Sequence, residues 1–294
     1  MPLSTIGIIL YLAFFGGAIG VLGKFAFPVF TPDALILIRL IISVACFMLV
    51  LWHQKKLYAA LQLLCNNFLL FLALAASGIG GGMILGFIGL THTTAANYGL
   101  LFNTSAVFIV FFSVIIFQET ITRRDIALFC IASLGAILIV TNGNFAFSLF
   151  TMRWRGDLFV LLAAIGWALY SVLGPLFARR HPDVNSITIV FNTFLVGILF
   201  LFPYVVGRGG ITLAHLNFSS LATTFALGVF STAILFYFWL EFVRTSGGLR
   251  GSLVTLGENI SGVALPILFL GERPSIATFI GGALIVGAII AKKS

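Results

Sequence analysis

One carboxylate stands alone in the middle of an apolar run. The stretch from Ser252 to Arg273 reads S-L-V-T-L-G-E-N-I-S-G-V-A-L-P-I-L-F-L-G-E-R, with Glu258 at its heart. A charged side chain at the centre of a membrane helix costs roughly 2.5–3.5 kcal/mol on insertion scales. Such a group faces a polar interior, finds a partner there or takes up a proton. Helical spacing puts Ser252, Thr255, Glu258 with Asn259, Gly262 and Pro266 on one side, and Leu253, Ile260 and Ile267 elsewhere. That pattern predicts a lipid-facing helix whose small-and-polar stripe walls a cavity. Three further groups stand in apolar surroundings: the cluster Asn103-Thr104-Ser105, Arg39, and Trp167, Tyr170, Ser171 and Gly174 at i, i+3, i+4 and i+7. Aromatic rings on a span usually pack or meet lipid. Tyr and Trp beside Ser and Gly are equally consistent with a cavity wall.

The elements that position these residues follow from composition. The chain has 294 residues, 61% hydrophobic and 8% charged, with mean hydropathy +1.18. A soluble protein could not cover itself with so little polar surface. Apolar runs of about 20 residues match a hydrocarbon core of about 30 Å. The fold class is therefore an all-α polytopic membrane protein. Ten spans are read at residues 4–25, 33–52, 68–90, 95–117, 124–142, 157–178, 185–206, 220–243, 250–270 and 274–291. Gly78, Gly82 and Gly86 in the third span repeat at four-residue spacing, which favours close helix packing. Tyr237 and Trp239 near the end of the eighth suit an interfacial belt. The N-terminus has no basic region and no small-residue cleavage site, so it reads as an uncleaved first span. The net charge of +8 falls mainly in loops that flank the spans, where it sets orientation; no nucleic-acid partner is expected. Ten loop lysines and arginines on the side of the termini against five on the other predict both termini in the cytoplasm. Cys46, Cys65 and Cys130 have no pair spacing and read as small core residues, neither metal ligands nor a disulfide.

The chain also repeats. Val21-Leu22-Gly23 recurs as Val172-Leu173-Gly174, Glu119 as Glu272, and Gly135-Ala136-Ile137 as Gly287-Ala288-Ile289, at offsets of 151, 153 and 152 residues. Residues 4–142 and 157–291 thus form two five-span halves joined by a loop at 143–156. Five is odd, so the second half must enter the membrane upside down. Inverted repeats that meet at the midplane are a common transporter plan. Counting back 14 residues from Glu119 and Glu272 reaches Ser105 and Glu258, which makes the two polar mid-span clusters pseudo-symmetric.

At this point the sequence resembles the EamA family of the drug/metabolite transporter superfamily. The resemblance rests on T-H-T-T-A-A-N-Y-G-L-L-F-N-T-S-A-V-F with the following F-Q-E, on L-G-E-N-I-S-G-V-A-L-P-I-L-F-L-G-E, and on Arg39 in the second span. Asn259 stands where the family often has proline, the first half lacks the usual proline near Ser105-Ala106, and Gln118-Glu119 replaces Gly-Glu. The resemblance implies ten helices, cytoplasmic termini and transport of small metabolites, frequently export of amino acids or related compounds across the cell membrane.

The resulting expectation is a secondary transporter with a small-molecule substrate and no cofactor or metal. Its cavity would be walled by Glu258, Asn259, Asn103, Ser105, Trp167 and Tyr170. Glu258 would carry a coupling proton, or pair with a substrate ammonium or with Lys24 or Arg39. Glu119 and Glu272, at span ends, would make helix-end contacts. Two rivals are a lipid-handling or partner-binding membrane subunit and a membrane-embedded transferase. The transferase is disfavoured because His53, His92, His181 and His215 lie in separate loops and no H-E-x-x-H, G-x-S-x-G or P-loop occurs. Substrate, direction, coupling ion and oligomeric state are open at this level.

Overall fold

A computed structural model describes the backbone of residues 3–117, 122–141, 143, 152–207, 218–246 and 248–293 and the side chains of most of them; Glu119 and the side chain of Asn259 fall outside the described residues. Helix dominates, because runs this apolar must satisfy every backbone N–H and C=O internally. The elements are α1 (Leu3–Ala26), α2 (Pro32–His53), the short α3 (Leu57–Asn66), α4 (Phe68–Ala75, Ala76–Leu85 and Gly86–His92), α5 (Ala95–Phe102 and Ser105–Phe117), α6 (Arg123–Thr141), α7 (Met152–Arg180), α8 (Ser186–Gly207), α9 (Phe218–Gly228, Val229–Ile234 and Leu235–Ser246), α10 (Gly248–Leu270) and α11 (Ile276–Lys293). Among the described residues seven of these rods are long and apolar enough to cross a membrane by length and composition. Shorter apolar segments occur within α6, α10 and α11. Helix α3 was not anticipated, and α7 begins at Met152, ahead of residue 157.

The two halves run in opposite senses. Elements at equivalent places in the repeats cross each other antiparallel. In the α5/α10 pair, Gly99 meets Gly262 while Ala95 meets Glu272. In the α6/α11 pair, Gly135 meets Gly281 and Arg124 reaches the carbonyl of Ala291. The remaining contacts exchange in the way a pseudo-twofold demands. Helix α4 packs on α7, with Gly81 against Gly166 and Gly78 against Tyr170. Helix α9 packs on α1, where the Tyr11 hydroxyl donates to the carbonyl of Phe230 at 2.7 Å.

Two wide turns mark the same place in each repeat. Ala76–Leu85 in α4 and Val229–Ile234 in α9 are π-helical, and their first residues lie 153 positions apart. Such turns are rare and concentrate at functional places. Helix α5 is interrupted without proline. At Asn103 and Thr104 the side chains bond back to the carbonyls of Gly99 (2.8 Å) and Leu101 (2.6 Å), competing with the helical ladder.

Large apolar side chains such as Leu10, Leu69, Leu199, Phe225, Ile260 and Leu268 stand exposed on the outside, as a lipid solvent allows. The three cysteines are unpaired. Cys65 and Cys130 are exposed, a correction to the expectation of core packing, since bilayer contact suits a thiol as well as the interior does.

Candidate functional site

Three glycines from three helices meet at one point. Gly17 of α1 and Gly99 of α5 both lie against Gly262 of α10. Without side chains between them the backbones approach closely, and Ser261 ties α10 to α1 through a hydroxyl donated to the carbonyl of Ala13 at 2.5 Å. Glu258 lies one turn before this crossing. Its carboxylate packs against Gly16, where an added Cβ would sit 2.5 Å from Oε1.

A cavity opens beside the crossing, between the two repeats. It contains about 790 Å³ of space between atoms, its open side included. Glu258, Asn103, Ser105, Trp167 and Arg39 all line it. Tyr170 does not. It is buried behind Trp167, ring centroids 5.4 Å apart. Lys24 is likewise elsewhere; its ammonium donates to the carbonyl of Thr93 at 2.7 Å. Ile260 and Ile267 point outward, Ile260 being 72% exposed.

Six aromatic residues line the cavity, and most of them were not foreseen. Tyr98, Phe102, Phe236 and Trp239 join Trp167 there. Trp167 lies 4.9 Å from Phe236 in edge-to-face geometry and 5.8 Å from Trp239. Trp239 is buried, with its indole N–H donated to the hydroxyl of Ser171 at 3.3 Å. This corrects its reading as an interfacial belt residue. The only available signal was helical periodicity, which turns Phe236 and Trp239 to neighbouring faces of α9 but cannot distinguish the interior from lipid when both are apolar.

Polar contacts tie the two repeats together at one end of the bundle. The hydroxyl of Thr93 donates to the buried Asp157. The hydroxyl of Thr278 donates to the Asn97 amide oxygen at 3.2 Å. Glu272 accepts the N–H groups of Ala95 and Ala96 at 2.8 and 3.0 Å, so its carboxylate caps the start of α5, where the helix dipole favours negative charge. The expected helix-end contact of Glu272 thus takes the form of a tie between repeats. Glu272→Ala is expected to destabilise the protein by about 1–2 kcal/mol, as losing a charged cap does. Thermal unfolding in detergent should show a lower midpoint for Glu272→Ala than for Glu272→Gln, which keeps one acceptor.

An all-helical bundle of two opposed repeats with a central cavity defines a polytopic membrane transporter. Sequence comparison makes this specific: the profile of the EamA-like transporter family matches residues 3–141 and again residues 154–291, and the chain belongs to that family. It is 24% identical over 217 residues to an "Uncharacterized transporter" of Archaeoglobus fulgidus, covering 74% of this chain and 73% of that one. It is 21% identical over 285 residues to "Uncharacterized transporter YyaM" of Bacillus subtilis, covering 96% and 91%. A protein of known crystal structure shares the fold at TM-score 0.71 and 20% identity, over 98% of this chain and 96% of that one.

Proposed function

We propose that this protein is a secondary transporter that moves a small polar metabolite, an amino acid or related compound, out across the cytoplasmic membrane by alternating access. Both termini lie in the cytoplasm, as the bias of lysines and arginines in the loops favours. The observation that carries this reading is Glu258. A carboxylate lines the central cavity at the seam of two inverted repeats, and among the described residues no cation is bonded to it. A carboxylate so placed is neutralised by a proton or by a cationic group of the cargo. The ties near the Lys24 end support this reading, because they run between repeats and consist of a few hydrogen bonds that can exchange. The repeats supply two equivalent packings, and no nucleotide-binding motif is present to supply energy.

The test is flux in proteoliposomes across an imposed pH gradient, with a metabolite panel outside and a trapped pH dye inside. The wild type should show cargo-dependent proton movement. Glu258→Gln keeps the shape but cannot release a proton, so flux should fall roughly 100-fold or more and lose its pH dependence, as loss of a positioned proton carrier does. An unchanged rate with unchanged pH dependence would end the proton-coupling proposal. A cavity that takes up phospholipid and no soluble compound would favour the lipid-handling alternative.

A further inference from the structure

Arg39 on α2 is fully buried, 1% exposed, the largest such side chain among the described residues, and it lines the same cavity as Glu258. A guanidinium carries its charge at any physiological pH and presents five N–H donors. Buried cations are ordinarily matched to a carboxylate, because an unmatched charge in a low-dielectric interior is very unfavourable.

Here the donors can be followed one by one. Nε donates to the Thr232 hydroxyl at 2.9 Å. Nη2 reaches the carbonyl of Ser231 at 3.4 Å, a long contact. The flat face lies over the Phe87 ring, Cζ being 4.8 Å from its centroid. Nη1 has no hydrogen-bond partner. Among the described residues no carboxylate lies within ion-pair distance of the group.

The guanidinium is held, not loose. The Thr232 hydroxyl donates its own proton to the carbonyl of Leu227 at 2.6 Å, five residues back across the wide turn of α9, so its lone pair is free to receive Nε. The fold does not require this arrangement. The equivalent wide turn in α4 has Gly78 and Ile79 where α9 has Ser231 and Thr232, 153 residues on. The counterpart of Arg39 at the same offset is Asn192, whose amide donates instead to the carbonyl of Ala60 at 2.9 Å. One repeat therefore builds its wide turn without a cation, while the other uses the turn to clamp one beside the cavity.

We propose that Arg39 is the anion-recognition residue of the cavity, so that the cargo presents a carboxylate to Nη1 while its apolar body lies against the aromatic wall of Phe102, Trp167 and Phe236. A carboxylate is favoured over a phosphate. Arg39 is the single cation among the lining residues, and a doubly charged group would be left half-neutralised in an apolar enclosure. The inference rests on the reading of this cavity as the cargo site and adds the charge class of the cargo to it.

Trp167 and Trp239 both line the cavity, so occupancy can be read by quenching of tryptophan fluorescence in purified protein. The probes are matched acids and neutral amides, phenylacetate with phenylacetamide and L-phenylalanine with L-phenylalaninamide, together with inorganic phosphate. At least one acid should bind tenfold or more tightly than its amide, phosphate should be weaker than that acid, and Arg39→Gln should reduce the acid-to-amide ratio to below about twofold. Arg39→Lys should retain part of the preference, since it keeps charge without the fork. If Arg39→Gln does not fold, Thr232→Val keeps the charge but removes the clamp, and should lower the ratio several-fold. A purely structural role would change melting temperature and leave the ratio alone. The proposal is overturned if no acid binds more tightly than its amide, if phosphate binds best, or if the preference survives the substitutions. The transport reading fails separately, on absence of cargo-dependent flux.

Discussion

Gly17→Val is expected to yield little or no folded protein in the membrane fraction, and Gly17→Ala a protein of clearly lowered melting temperature. A Cβ at residue 17 would lie 2.0 Å from the Ser261 hydroxyl oxygen, 2.6 Å from the Gly262 nitrogen and 2.8 Å from the Ser261 carbonyl carbon. The hydroxyl could swing aside. The two backbone atoms could move only with α10 itself, and α10 is also held against Gly99 of α5. Overpacking of a close-packed interior costs typically 1–3 kcal/mol for one or two methylenes; here the second and third carbons of valine must enter a crossing of three backbones. Gly7 provides the control. It lies in the same helix with nothing within 4 Å of an added Cβ, so Gly7→Ala should leave the melting temperature unchanged or slightly raised, as alanine is the better helix former. Size-exclusion profiles and thermal unfolding of the three variants check the comparison. A Gly17→Val protein as stable as wild type would remove the triple crossing as the element that positions Glu258.

The readable parts of this fold share one physical cause. Helices announce themselves by length of apolar sequence, and inversion follows from an odd number of spans in each half, which the echoes of Val21-Leu22-Gly23, Glu119 and Gly135-Ala136-Ile137 about 152 residues on delimit. Polar residues in apolar runs are conspicuous for the same reason, and the structure brings Glu258, Asn103, Ser105, Trp167 and Arg39 to one cavity. What stayed hidden depends on tertiary geometry. The wide turns at Ala76–Leu85 and Val229–Ile234 leave no mark in periodicity, because the glycines that permit the first also suit ordinary helix packing. Tyr170 shares a helix face with Trp167 yet ends behind it, since one face of a rod can meet both a cavity and a neighbouring helix. Lys24 and Arg39 were legible as cations near the site. Only the folded chain separates one tied to a carbonyl at the bundle end from one clamped beside the cavity.

Trp167→Ala should be the most damaging substitution in the cavity wall, with a loss of about 3–5 kcal/mol for deletion of a buried indole. Its ring contacts Phe102 of α5, Tyr170 of its own helix, and Phe236 and Trp239 of α9, at centroid distances of 6.0, 5.4, 4.9 and 5.8 Å. Aromatic pairs of this kind add about 0.5–1.5 kcal/mol each beyond area burial, so the side chain joins three helices. Phe236 in turn stacks edge-on with Phe194 of α8 at 5.0 Å, which carries the damage outward. Lowered flux in Trp167→Ala alone could therefore mean either collapse or loss of cargo contact. Trp167→Phe separates these. It retains an aromatic face toward Phe236 and should lose only about 1–2 kcal/mol as a partial cavity is left. At a temperature where both proteins are folded, Trp167→Phe should raise the half-saturating cargo concentration several-fold with a smaller change in maximal rate, because ground-state contact with an apolar body is what the smaller ring gives up. Equal saturation behaviour in wild type and Trp167→Phe would assign the indole to packing and move cargo contact to Phe102 and Phe236.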